Sequence, residues 1–320
     1  MDIQRARYVF GPVQSRRLGR SLGIDPVPLK TCNWNCVYCQ LGRSRPMVSE
    51  RAEYVPTQGI VDEARETLAS SGTNEIDWVT FVGSGETTLH INLGVLIREI
   101  QRFSPAPVAV ITNGSLLSDP QVRRDLGPAD AILPALDAGS PALYRRINRP
   151  HPHFSFSRHI AGLVDFRTSF TGKLWLEVMM LRELNDSDAA LRDLRSAIER
   201  IRPDRVHLAV PYRPPAESWV RPAGEGGLMR ARAILGEVAA VMHPAEGEIH
   251  LADEIDLREV ILSVITRHPM RLEELKRMLK HGEEKAIESA LESLEEERRA
   301  QAVERLGSRF WTAAGAYFPD

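Results

Sequence analysis

Thr31-Cys32-Asn33-Trp34-Asn35-Cys36-Val37-Tyr38-Cys39 contains every cysteine in a chain of 320 residues. The spacing is C-x3-C-x2-C, with an aromatic residue just before the last sulfur. Three thiolates this close can hold three irons of a [4Fe–4S] cube. The fourth iron then has no protein ligand and stays open to a small molecule. A purely electron-carrying cluster takes a fourth cysteine, and the chain has none. Zinc is the rival reading. A structural zinc site closes with four ligands, and the first histidine in the sequence is His90, far downstream. Chance packing of three buried thiols is a third reading, against which the spacing argues.

Working outward, residues 8–23 (YVFGPVQSRRLGRSLG) are rich in Gly and Arg and poorly periodic, and read as a loop or short strand ahead of the cysteines. Arg16, Arg17 and Arg20 offer forked donors suited to an anionic substrate. A solvated basic segment is the equal alternative. Ile24 reads as part of a first strand, and the cysteine loop follows it.

Downstream, Trp78–Val82 reads as a buried strand ending in Gly83-Ser84-Gly85-Glu86. Glycines let a backbone approach a ligand closely, and a carboxylate behind them can accept hydrogen bonds from an ammonium. Val108–Ile111 is the next strand, ending in Thr112-Asn113-Gly114; Ala131–Leu136 follows and ends at Asp137. Lys173–Leu181 runs apolar with Glu177 inside it. A carboxylate in a buried strand needs a partner, so Glu177 meets either a ligand in a barrel lumen or a barrel arginine. Val206–Val210 leads to Tyr212, Arg213 and Glu217, which are substrate candidates at the mouth. Helical periodicity over 61–68, 95–103, 188–200 and 228–242 separates these strands. Six strand–helix units imply parallel strands with helical crossovers. The fold expected is α/β, a barrel of parallel strands with its site at their C-terminal ends. His151, His153 and His159 have no interleaved acid or cysteine and read as surface or substrate-facing.

The tail differs in pattern. A polar linker spans about Pro244–Asp253; helices are expected over 256–267, 272–279 and 283–299, with a break at His268-Pro269 and a turn at His281-Gly282. A hairpin centres on Gly307. This order is that of a small C-terminal winged-helix domain at 252–320. The glutamates crowding the third helix repel phosphate, so a protein-binding or lid role stands level with nucleic-acid binding.

Composition sets outer bounds. A net charge of −2 argues against a globally basic nucleic-acid binder. No run of 18 apolar residues is present, and the charged start lacks an apolar stretch, so neither a membrane partner nor a signal peptide is expected. Thiols without disulfide partners fit a reducing, cytoplasmic location. Lysine occurs at positions 30, 173, 276, 280 and 285 only.

The cysteine spacing, taken with FVGSGETTL, VITNGSLL and LPALDAGS, resembles the radical S-adenosylmethionine (SAM) superfamily, and within it the wyosine-type branch. The resemblance covers about residues 8–242 and implies a partial (β/α)6 TIM-like barrel, over residues 1–245, with which the six strand–helix units agree. It implies that Cys32, Cys36 and Cys39 bind a [4Fe–4S] cluster whose open iron is chelated by the amino and carboxylate groups of SAM. An electron from the cluster then cleaves SAM to methionine and a 5′-deoxyadenosyl radical, which takes a hydrogen atom from the substrate. It further implies SAM contacts at Tyr38, Gly85, Glu86 and Asn113, with Asp137 and Glu177 as additional contacts, and an external flavodoxin- or ferredoxin-type reductant. Arg16 and Arg17 could equally serve the SAM carboxylate. Ser84 and Thr87 depart from the family's usual Gly and Pro, but Gly85 and Glu86 are kept.

The wyosine-type tRNA imidazoguanosine synthase uses a second cluster and a pyruvate-capturing lysine. No cysteines remain here for a second cluster, and only Lys30 and Lys173 lie in the barrel region. The substrate (small molecule, peptide or RNA) therefore stays open. The alternatives are a tRNA- or RNA-modifying enzyme, a peptide- or metabolite-modifying enzyme, and an iron–sulfur DNA-binding redox regulator. The last explains the tail and the cysteines but not the Gly-Ser-Gly-Glu and Thr-Asn-Gly loops.

Overall fold

The computed structural model describes residues 8–70, 75–242, 256–279 and 284–319. The polar linker at 244–253, the His281-Gly282 turn and the domain limits at 245 and 252 fall outside them. The chain runs β1 (Val9–Ser15), β2 (Gly19–Ile24), α1 (Thr57–Ser70), β3 (Trp78–Phe81), α2 (Leu93–Phe103), β4 (Val108–Thr112), α3 (Pro120–Leu126) and β5 (Ala131–Pro134). It continues with α4 (Pro141–Ile147), α5 (Phe156–Ser169), β6 (Lys173–Met179), α6 (Asp188–Ile201), β7 (Arg205–Ala209), α7 (Glu225–Leu235) and β8 (Ala239–Val241). The eight strands form one sheet in sequence order. β1 pairs antiparallel with β2, and every later pairing is parallel. The six expected strands are β2 to β7, and the α/β partial barrel stands.

The Gly- and Arg-rich segment, read as a loop or short strand, forms β1 and most of β2, a hairpin turned at Arg16-Arg17-Leu18 with Gly19 at φ +65°; β8 was not anticipated. The helix expected over 228–242 stops at Leu235: Gly236 adopts φ +81° and the chain turns into β8. A left-handed glycine is a common helix stop, and three residues are too few for strand periodicity to register.

Alternation along β6 shows how the sheet divides the interior. Leu174, Leu176 and Val178 join the main core between strands and helices, while Trp175 packs with Leu18, Ala109, Ala131 and Leu133 on the inner face. That inner cluster floors the lumen, and Trp78 meets Trp175 edge-on at 5.9 Å.

The tail builds α8 (Leu257–Arg267), α9 (Leu272–Met278), α10 (Glu284–Glu296), β9 (Ala300–Arg305) and β10 (Ser308–Ala313), the last two paired antiparallel around Gly307. It has its own core, including Ile261, Ile265, Leu275, Leu291, Leu294 and Trp311. Several of its acidic side chains are occupied internally: Glu288 accepts from Lys276, and Glu297 pairs with Arg258. It also reaches the barrel: Arg267 Nε lies 3.1 Å from Asp25 Oδ2, Arg213 Nη1 2.7 Å from Glu274 Oε2, and the Arg43 amide 2.8 Å from the Tyr317 carbonyl. No helix among the described residues is long and apolar enough to cross a membrane.

Candidate active site

The cysteine loop follows β2 and is tied down along its length. The Lys30 amide donates to Ser84 O at 2.6 Å and the Glu86 amide to Thr31 O at 2.9 Å, lacing it to the Gly-Ser-Gly-Glu loop beyond β3. The Val37 amide donates to Ile147 O at 2.9 Å, and the Glu217 amide to Val37 O at 3.0 Å. Trp34 is buried against Tyr144 and His159, with ring centroids 5.3 Å away in each case. The loop thus rests on the C-terminal ends of the parallel strands, where this fold class carries its chemistry.

The three thiols are half-buried, and each has a nitrogen nearby. Lys30 Nζ donates to Cys39 Sγ at 3.2 Å; Asn148 Nδ2 lies 3.7 Å from Cys36 Sγ, and Asn113 Nδ2 4.0 Å from Cys32 Sγ. Surrounding protein pushes the Cys32 thiol up to about 11 and Cys36 well above the ordinary thiol value, with Asp137 and the neighbouring sulfurs adding to the latter. Burial works to lower the Lys30 ammonium, but the sulfurs of Cys39, Cys32 and Cys36 outweigh it and hold it above its usual value. Three thiolates here need more positive charge than one lysine carries, so the set calls for a cationic group to bind. Among the described residues, no three His, Cys, Asp or Glu side chains converge as a single ion requires. The sulfurs lie near enough to feel one another's fields, as the thiolates of one cluster would.

The expected SAM residues surround this loop in different ways. Gly85 lies against it: a Cβ there would stand 2.0 Å from the Thr31 carbonyl oxygen. Glu86 is buried, and its field reaches Cys32. Its carboxylate is held by Thr88 N at 3.0 Å, Asn113 N at 2.6 Å and the hydroxyls of Thr88 and Thr112. Burial still pushes its pKa up. Glu86 therefore fixes the Asn113 turn, and Asn113 Nδ2 in turn donates to Asn33 Oδ1 at 2.7 Å.

Asp137 is also engaged by protein. Its Oδ2 accepts from Tyr38 OH at 2.5 Å and Asn148 Nδ2 at 2.6 Å, and its Oδ1 from the Met179 amide at 2.8 Å. Burial raises it to about 6. Tyr38 and Asp137 brace the loop behind Cys36 as a pair. Glu177 takes the arginine alternative, forming an ion pair with Arg17.

The substrate candidates separate into two places. Arg16, Arg17, Tyr212 and Arg213 gather together: the Arg16 guanidinium packs 4.5 Å from the Tyr212 ring centroid and that of Arg213 5.0 Å. Glu217 instead turns toward the cysteine loop, where Arg43 and Arg149 hold it at 2.7 and 2.6 Å. Arg20 is exposed and pairs with Asp77. The histidine expectation needs correcting for His159, which is buried on α5 between Trp34 and Tyr144 because α5 packs inward there. The sequence reading missed Lys30 and Asn148 as neighbours of the sulfurs. A lysine two residues before the first cysteine, in a chain with five lysines, was the available signal.

Fold and site together define the class: an α/β partial barrel that carries three clustered free cysteines on the loop after its first parallel strand. Residues 27–194 match the Radical SAM superfamily, and the chain belongs to that superfamily, whose members use a [4Fe–4S] cluster and SAM. A UPF0026 protein of Methanocaldococcus jannaschii is 33% identical over 275 residues, covering 84% of this chain and 85% of its own length. A Brachyspira hyodysenteriae protein named GTPase Obg is 38% identical over 272 residues; the match spans 83% of this chain but 39% of that relative. Among solved structures, TYW1 with a lysine-pyruvate adduct bound superposes with a TM-score of 0.51 at 18% identity, covering 69% of this chain and 74% of that one. A radical SAM methyltransferase from Sphaerobacter thermophilus gives a TM-score of 0.52 at 15% identity, covering 69% and 66%. These two likenesses are of fold.

Proposed function

We propose that Cys32, Cys36 and Cys39 hold the cluster, and that SAM sits between it and the loops carrying Gly85, Glu86 and Asn113. The substrate then lies in the lumen near Arg16, Arg17, Tyr212 and Arg213. The observation that carries this reading is a loop of three free cysteines laced by backbone hydrogen bonds to the Gly-Ser-Gly-Glu turn. When bound, cluster and SAM together supply a radical that takes hydrogen from the substrate. The protein's own contribution is positional. Glu86 fixes the Asn113 turn, Gly85 lets two backbones meet, and the Tyr38–Asp137–Asn148 group keeps Cys36 in place. Lys30 Nζ, 3.2 Å from Cys39 Sγ, offsets negative charge on the sulfur.

The test is reductive SAM cleavage under anaerobic conditions. Cys36→Ala should keep the wild-type circular dichroism spectrum while losing cleavage altogether. Cleavage by the reconstituted variant would sink the assignment.

The wyosine-type lysine chemistry has little support. Lys30 is committed to the sulfurs, and Lys173 is exposed at the start of β6, with its ammonium 5.6 and 5.5 Å from the Trp78 and Trp175 ring centroids. An external flavodoxin- or ferredoxin-type reductant has more. A cavity of about 970 Å³ beside the cysteine loop is lined in part by Asn35, Tyr144, Phe156, Arg43, Arg145 and Arg149. Trp34, which packs with Cys32 and Cys36, is followed toward this cavity by Tyr144 and Phe156, with centroids 5.3 and 5.9 Å apart. A basic rim over an aromatic path to the cluster suits an acidic electron carrier. Residues 1–245 and 252–320 are assigned as two domains on the strength of their separate cores.

A further inference from the structure

The inner face near β1 and β7 carries more positive charge than its carboxylates absorb. Four guanidiniums meet there. Arg17 pairs with Glu177, Arg213 with Glu274 and Arg267 with Asp25. Among the described residues, Arg16 has no such partner. The carboxylate field acting on it comes from Glu177, which Arg17 already holds, and Arg17 and Arg213 both repel it. Burial and these guanidiniums hold His268 at about 4, and burial with Arg17 and Arg205 does the same for His207, so both imidazoles are neutral.

Among the described residues, Arg16 Nη1, Arg17 Nε, Arg213 Nε and His207 Nδ1 are buried here without a hydrogen-bond partner, as is Glu177 Oε1, which the ion pair with Arg17 holds. Folded proteins rarely leave buried donors unpaired. Here three guanidinium donors come from two separate segments, the β1–β2 turn and the loop after β7, with a ring nitrogen of neutral His207 on β7 beside them. Arg16 is also held in position. Ser15 Oγ accepts from the Arg17 and Leu18 amides at 3.3 Å each, fixing the turn, and the guanidinium packs on Tyr212. A planar, pre-oriented fork of donors is suited to a carboxylate or phosphate.

We infer that the lumen binds an anionic substrate whose carboxylate or phosphate is gripped by Arg16, with Arg17, Arg213 and His207 completing the polar shell. This rests on the proposed function only in taking the lumen as the substrate site; binding of the anion requires neither reductant nor turnover.

The test is calorimetric titration of the anaerobically reconstituted full-length protein, at low ionic strength, with inorganic phosphate and separately with malonate. One saturable site per chain is expected for at least one probe. Phosphate alone would identify a phosphoryl-bearing substrate, malonate alone a carboxylate, and both a general anion site. Arg16→Gln should bind about tenfold more weakly or worse, while Arg20→Gln, at an exposed pair with Asp77, should bind like wild type. Saturable binding of neither probe, or equal binding by Arg16→Gln, overturns the inference. If Arg16→Gln does not fold, protection of wild-type Arg16 from phenylglyoxal by the bound probe, read by mass spectrometry, decides the matter, and no protection overturns it. SAM affinity is measured alongside. A tenfold loss of SAM in Arg16→Gln would reassign the guanidinium to the SAM carboxylate and also overturn it. Failure of wild type to bind SAM would instead sink the proposed function and leave the anion result standing.

Discussion

Gly85 has no room for a side chain, because a Cβ would stand 2.0 Å from Thr31 O and 2.7 Å from Thr31 C. Both obstacles are backbone, in a loop tied at both ends, so neither can swing aside. Gly85→Ala should cost roughly 1–3 kcal/mol and lower the iron bound per chain; thermal denaturation and iron analysis check the two effects. Its need for glycine was legible as a Gly-x-Gly pattern, but the partner, Thr31, was not, since the two are brought together only by the pairing of β2 with β3. His159 shows a second residue-scale effect. Burial lowers it from 6.5 to about 4. Below pH 6.5 the unfolded chain takes a proton that the folded chain refuses, so stability falls as pH drops toward 4 and changes no further below it. The full loss is about 3 kcal/mol. Urea midpoints measured from pH 7 to pH 4 should fall less steeply for His159→Phe than for wild type; parallel curves would refute this.

At the scale of elements, the contact between α8 and the start of the cysteine loop carries the most consequence. Asp25 is buried and held by Ser84, Val27 and Arg267. Burial pushes its carboxyl up even against the pull of Arg267. Arg267→Ala leaves that carboxylate without its cation and should cost about 3–5 kcal/mol. The paired change Arg267→Met with Asp25→Asn should recover most of it, as urea unfolding would show. Helices α8, α9 and α10 and the Gly307 hairpin were legible from periodicity and turn chemistry. Their seat on the barrel was not, because Asp25–Arg267 and Arg213–Glu274 join residues far apart in sequence. β8 escaped notice, and β1 read only as a loop or short strand, for a related reason: β1 is interrupted by Gly11-Pro12 at a register shift, and β8 follows a helix with a single glycine marking the change.

Across the whole molecule, charge is distributed unevenly. The chain carries a net charge of −2, yet the cavity beside the cysteine loop has Arg43, Arg145 and Arg149 on its wall and no acidic side chain among its lining residues. Arg43 and Arg149 share Glu217, whereas Arg145 is exposed at the end of α4. Long-range attraction of this kind raises association rates and fades as salt screens it. Arg145→Glu should slow reduction of the cluster by reduced flavodoxin roughly three- to tenfold at low salt, with the gap closing at high salt. Stopped-flow absorbance at several ionic strengths measures this; a salt-independent difference would count against steering.

Sequence alone determined the class of chemistry and the order of the barrel. Ligand spacing and strand–helix alternation are properties of neighbours in the chain, fixed by local geometry and hydrophobic period. Tertiary structure decided which polar groups face each other. Asp137 meets Tyr38 and Asn148 behind Cys36, Glu177 meets Arg17, and Arg16 has no carboxylate of its own among the described residues. The physical reason is that the partner of a buried charge is chosen by whichever segment the fold brings within hydrogen-bond reach, and separation along the chain carries almost no information about that distance.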